Sequence, residues 1–328
     1  MHFTEFVNSQ QTVLGDGGTM FELDQRGLIA PGEWIPRAVL ESQQSVIQIH
    51  EEFANAGADI LQAITYYAHR LKIETTSSHV DVIELNKHAV KLAHVAASNS
   101  RIKLKRDIFV AGGVSPVVFF QKQKNYDEIA QVFSEQIVAQ MSAGVDCVFA
   151  ETFNDIQEAI QAVRVCKKLD VPCIVTINGK ESSIVSDFQQ LVREEPFSIG
   201  LNCYHGPKET LRLIEYAKSR MTFPSHIHLC TQPVAYDIQQ WDEHERFPLA
   251  LDPLHITRQA AAQYAVSAQD LGVKIIGGCC GFRPREILEM CRVLNKNCAN
   301  SQNYSRLEFS ALTQIAQRKE QGYWDKFV

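Results

Sequence analysis

Eight short runs of β-branched or apolar residues recur along the chain, and most lead into a stretch with apolar residues at helical spacing. The runs are Thr12–Asp16, Asp59–Thr65, Ile108–Val114, Val145–Glu151, Cys173–Ile177, Ser198–Cys203, Ile227–Thr231 and Val273–Gly278. Helical periodicity follows over Val39–Ala56, Asp127–Ala143, Asp155–Leu169, Pro207–Lys218, His255–Leu271 and Pro284–Leu294. The fifth unit is the weakest, because Gly179–Asp187 is polar. Strands alternating with helices pair in parallel through helical crossovers. Runs such as Val145–Glu151 are apolar on nearly every position, which suits strands covered by helices.

Eight units favour an α/β fold closed as a (β/α)8 TIM barrel over an open sheet. The position of the unusual residues points the same way. Asp16, Thr65 with Tyr67, Ser115, Glu151, Asn178, Cys203, Gln232 and the pair Cys279–Cys280 all fall at the C-terminal ends of the expected strands. A barrel gathers those ends into one mouth, where reactive groups collect. No Gly/Ser or Pro-rich linker divides the 328 residues. Residues 1–300 are therefore expected to form a single catalytic barrel. Residues 301–328 are expected to be a helical extension that packs on the barrel or on a partner subunit, which would make the protein a homo-oligomer.

Charge excludes some partners. Lys and Arg total 32 against 38 Asp and Glu, a net charge of −6, without a compact basic run. That argues against nucleic acid or an anionic membrane surface as partner. No stretch approaches the roughly 18 uninterrupted apolar residues of a membrane span, and the start Met1–Phe6 lacks a secretion-signal pattern. Nine cysteines, an odd number spread through a long chain, do not suggest a disulfide framework. The expected compartment is the reducing cytoplasm.

The cysteines sort into two groups. Cys147, Cys166, Cys173, Cys230, Cys291 and Cys298 lie on apolar faces, where a free thiol acts as a small hydrophobe. Cys203 ends the sixth run in Gly200-Leu201-Asn202-Cys203, and Cys279 with Cys280 ends the eighth in Gly277-Gly278-Cys279-Cys280-Gly281. Flanking glycines let the backbone turn sharply, so two consecutive side chains reach one point instead of opposite faces. Three thiolates meeting at the mouth would make a Zn²⁺ site with an open fourth position. An external thiol bound there would be deprotonated yet nucleophilic, which suits thiol alkylation better than hydrolysis. His50 and His205 are read as packing or surface residues rather than ligands.

These motifs, with Gly15-Asp16-Gly17-Gly18 near the start, resemble the zinc-dependent homocysteine S-methyltransferase family. Gln25-Arg26-Gly27, Glu33-Trp34-Ile35-Pro36, Gln62 to Ala68, Gln232 to Tyr236 and Gly322-Tyr323-Trp324 are similar to its betaine–homocysteine branch. The resemblance implies a barrel that moves a methyl group onto homocysteine to give methionine. It implies Cys203, Cys279 and Cys280 as zinc ligands. It places Asp16 and Glu151 near the homocysteine ammonium, and the backbone N–H groups of Gly17 and Gly18 near its carboxylate. Gln62 and Thr65 are further candidate substrate contacts.

Glycine betaine is the donor expected first. A quaternary ammonium binds aromatic faces at about 0.5–2 kcal/mol each. Trp34 and Tyr67 match the branch's donor positions, while Tyr66 is read as a core residue. Thr152 stands where a second aromatic is expected after Glu151. S-methylmethionine or S-adenosylmethionine is the alternative donor. A zinc- or thiol-binding redox protein without methyl transfer is the alternative from another class.

Overall fold

The computed structural model describes residues 1–30, 34–76, 80–238 and 254–298. Eight parallel strands make up its sheet: β1 (Val13–Leu14), β2 (Ile60–Gln62), β3 (Phe109–Val114), β4 (Cys147–Phe153), β5 (Cys173–Ile177), β6 (Ser198–Cys203), β7 (His228–Pro233) and β8 (Ile275–Ile276). Neighbours run β1-β8-β7-β6-β5-β4-β3-β2. A parallel bridge between Gly15 and Ile60 brings the two ends of that order together. The Asp59 side chain reinforces this seam by accepting from the Leu14 N–H at 2.8 Å. The result is the (β/α)8 barrel expected from the eight runs.

Side-chain alternation along the strands builds the interior in layers. Val13, Ile60, Phe109, Ala111, Cys147, Phe149, Ile174, Cys230 and Ile275 form one apolar cluster inside the barrel. The helix Phe3–Ser9, which no run above anticipates, closes its lower end. Phe6 lies 4.8 Å and Phe3 5.6 Å, centroid to centroid, from Phe109. One pleat higher on four of the strands stand Gln62, Glu151, Thr176 and Asn202. The alternate residues Leu61, Val110, Val148, Val175, Ile199 and Ile276 face outward into a second, larger core beneath the helices.

Besides the short unanticipated helices Phe3–Ser9, Thr19–Gln25 and Arg70–Ile73, the helices depart from the expected periods in three places. The stretch 39–56 is broken at Ser42 into Ala38–Glu41 and Gln43–Ala56. The fifth unit's helix begins only at Ile184 and runs to Arg193. The longest helix among the described residues, Val82–Leu104, follows β2 and was not among the expected ones. Among the described residues no helix is long and apolar enough to cross a membrane. Residues 301–328 lie outside the described residues.

Close strand packing fixes one glycine upstream of the mouth. A Cβ on Gly200 would stand 1.8 Å from the Cys230 carbonyl oxygen of the neighbouring strand. Gly200→Ala therefore forces β6 and β7 apart. The expected cost is about 1–3 kcal/mol or more, seen as a thermal midpoint lowered by several degrees. An unchanged midpoint would show that the pair relaxes freely.

Candidate active site

The mouth begins with three sulfurs. The Sγ atoms of Cys203, Cys279 and Cys280 all lie within 4.8 Å of one another, those of Cys279 and Cys280 4.0 Å apart. Sulfurs around a tetrahedral metal with bonds of about 2.3 Å are separated by about 3.8 Å, so the cluster fits such an ion with little movement. The other six cysteines are buried, whereas these three are part-exposed, and none of them forms a disulfide. Among the three, Cys203 is held well below the usual thiol range because Cys279 and then Cys280 donate to it. Those two are correspondingly pushed up, first by their bonding to Cys203.

The glycines around them are there for space. A Cβ on Gly18 would come 2.8 Å from the Cys279 carbonyl oxygen, and one on Gly17 would come 2.3 Å from that of Phe282. A Cβ on Gly278 would strike the Phe282 ring. The loop after β1 thus rests directly on the Cys279–Cys280 turn. The Gly18 N–H donates to the Phe282 carbonyl at 3.0 Å and the Gly278 N–H to the Asp16 carbonyl at 3.0 Å.

Beside the sulfurs sit two buried carboxylates. Asp16 Oδ2 accepts the Gln62 backbone N–H at 2.8 Å. Burial raises its pKa well above the ordinary value, with Glu151 adding to the rise. Glu151 accepts from the Gln62 side chain on Oε1 and from Asn202 Nδ2 on Oε2, the latter at 2.9 Å. Burial, with Cys203 nearby, pushes its pKa up to about 8. A β-bulge places it there: the pairing of β4 with β5 shifts between Ala150 and Phe153, and Thr152 takes φ +66°. A β-branched residue in that region is strained and needs support from its surroundings.

The profile of the homocysteine S-methyltransferase family matches residues 13–294. The chain belongs to that family. It is 30% identical to betaine–homocysteine S-methyltransferase 1 of Danio rerio over 98% of this chain and 84% of that protein. It is 31% identical to S-methylmethionine–homocysteine S-methyltransferase of Pongo abelii, over 86% of this chain and 78% of that one. The crystal structure of the homocysteine methyltransferase MmuM from Escherichia coli, metallated form, shares the fold with a TM-score of 0.72 at 17% identity, covering 87% of this chain and 97% of that one.

Of the residues singled out in the sequence of this family member, Asp16, Gln62 and Glu151 are joined by hydrogen bonds at the mouth. Thr65 is buried and donates to the Gly113 carbonyl at 2.9 Å, so its hydroxyl is already engaged. Trp34 packs partly buried against the outer core with φ +53°. Tyr67 has φ +57° and its N–H donates to Ser115 Oγ at 3.0 Å. Tyr66, expected in the core, is only partly buried and lies 4.5 Å from the Tyr67 ring.

Sequence reasoning missed three supporting residues. Asn202 contacts both Glu151 and Thr152. Phe120 stands edge-on to Tyr67 at 5.3 Å. Buried Glu158 accepts from the N–H groups of Val117 at 2.6 Å and Val118 at 2.9 Å, which tethers the turn Val118–Phe120. Each signal is tertiary; only Asn202, next to a candidate ligand, stood where sequence could have flagged it.

Proposed function

We propose that this chain transfers a methyl group from an onium donor, glycine betaine first, to the thiolate of homocysteine, giving methionine. The observation that carries the reading is the triad of part-exposed sulfurs beside two buried carboxyl groups that no Lys or Arg pairs with among the described residues. Cys203, Cys279 and Cys280 would hold Zn²⁺. The ion would bind the substrate sulfur and keep it deprotonated at neutral pH. Asp16 and Glu151 take the ammonium of homocysteine. Its carboxylate is assigned to the Gly17 N–H and, once the bond to Phe282 opens, to that of Gly18.

The aromatic faces of Tyr67 and Trp34 receive the onium group. The sulfur lone pair forms the new S–CH3 bond while the C–N bond breaks, its electrons passing to nitrogen. The amine departs neutral, so no general acid is needed. Rate comes from alignment of sulfur, carbon and nitrogen, and from charge neutralisation in a site screened from water. Cysteines that form no disulfide suit a cytoplasmic enzyme.

Similar identity to relatives named for betaine and for S-methylmethionine keeps sulfonium compounds as the second reading. Zinc-loaded protein should be assayed with homocysteine and betaine, S-methylmethionine or S-adenosylmethionine in parallel. Methionine and dimethylglycine in equal amounts from betaine are expected. Turnover with a sulfonium donor alone would transfer the assignment. Reversible thiol oxidation without methionine from any donor would leave the redox protein.

A further inference from the structure

Asn202 uses its whole hydrogen-bonding capacity within the mouth. Its Nδ2 donates to Glu151 Oε2 and to Thr152 Oγ1, both at 2.9 Å. Its Oδ1 accepts the Thr152 N–H and the Thr176 hydroxyl, both at 2.8 Å. The side chain is fully buried and ties β4, β5 and β6 together at one height. The two oxygen contacts leave the amide only one orientation, because an N–H donor must face the acceptors Glu151 and Thr152 Oγ1. The bulge at Thr152 is held by the same contacts.

The partners of Glu151 have a chemical consequence. Among the described residues its oxygens are met by the amides of Gln62 and Asn202, not by Lys or Arg. Neutral donors orient the carboxyl group and leave its charge uncompensated once an ammonium drives it to ionise. A carboxylate already paired with a cation would have little attraction left for an incoming ammonium. We propose that Asn202 is a positioning residue for amino-group recognition: it aims Glu151 at the ammonium of homocysteine and so sets the preference for an amino-acid thiol over a simple one. This rests on the methyltransferase reading above.

The test compares homocysteine with 4-mercaptobutyrate, the same molecule without its amino group, by calorimetric binding to zinc-loaded protein and by KM and kcat. Asn202→Asp keeps both acceptor contacts but turns a carboxylate toward Glu151. Thr176→Val removes one of the restraints on the amide and serves as the milder variant should Asn202→Asp fold poorly. The expected result is homocysteine binding weakened about tenfold, as loss of one hydrogen bond to a charged group predicts. Binding of 4-mercaptobutyrate should change less than twofold, with zinc content and kcat for bound substrate close to wild type. Thr176→Val should shift the same preference in the same direction by a smaller factor. Equal weakening of both thiols, or lost zinc, would overturn the proposal by showing a purely structural role. Wild-type protein that binds neither thiol would instead overturn the methyltransferase reading itself.

Discussion

Replacing Cys280 with serine is expected to lower bound zinc from about one ion per chain to a small fraction, and methionine formation by about a thousandfold or more. A hydroxyl is a poor substitute for a thiolate ligand, and two remaining sulfurs hold the ion far more weakly. Unbound, the substrate thiol is only a few per cent ionised at neutral pH and has no fixed approach to the methyl carbon. Cys203→Ser should behave alike, because its sulfur belongs to the same cluster within 4.8 Å. Cys173→Ser is the control: that thiol is buried in the outer core, so its loss should affect stability and leave zinc content alone. Metal analysis and methionine assays on the same preparations decide the matter. A Cys280→Ser protein that keeps both zinc and activity would remove the cluster from the reaction.

The barrel was legible because its strands are punctuated runs and most of its helices have clean apolar stripes. The sorting of the cysteines followed from the same patterns, since six lay on apolar faces while three ended strands beside glycine. The helix Phe3–Ser9 escaped because it is short, and its Phe residues gain meaning only against Phe109, a hundred residues away. Val82–Leu104 has a weak stripe with many small buried alanines, so its period is faint. At the mouth, residue types could be read but not their wiring. The Gly18 N–H, expected to face substrate, is spent on Phe282. The bulge that aims Glu151 puts Thr152 at positive φ, a conformation that threonine's own preferences oppose. Contacts from Asn202 hold it, and those span fifty residues of sequence.

Glu151→Gln is expected to cut kcat/KM for homocysteine by about 10- to 100-fold, since a hydrogen bond to a charged partner is worth about 1.5–3 kcal/mol. Zinc content should stay at the wild-type level, because no sulfur is touched. The effect should depend on pH. Burial raises the pKa of Glu151 to about 8, so before substrate arrives Glu151 retains its proton near neutrality, and burial pushes Asp16 in the same direction. An arriving ammonium favours the ionised form and expels the proton. Homocysteine should therefore bind wild-type protein more tightly as pH rises from 7 through about 8, and the glutamine variant should lose part of that slope. Stability runs the other way. A carboxyl whose folded pKa lies above its unfolded value of 4.5 stabilises the fold below that value and loses the contribution as pH climbs through about 8. The thermal midpoint of substrate-free wild type should thus fall relative to that of Glu151→Gln between pH 5 and pH 9. Affinity for homocysteine that is independent of pH in wild type, or equal in the two proteins, would place the ammonium elsewhere than on Glu151.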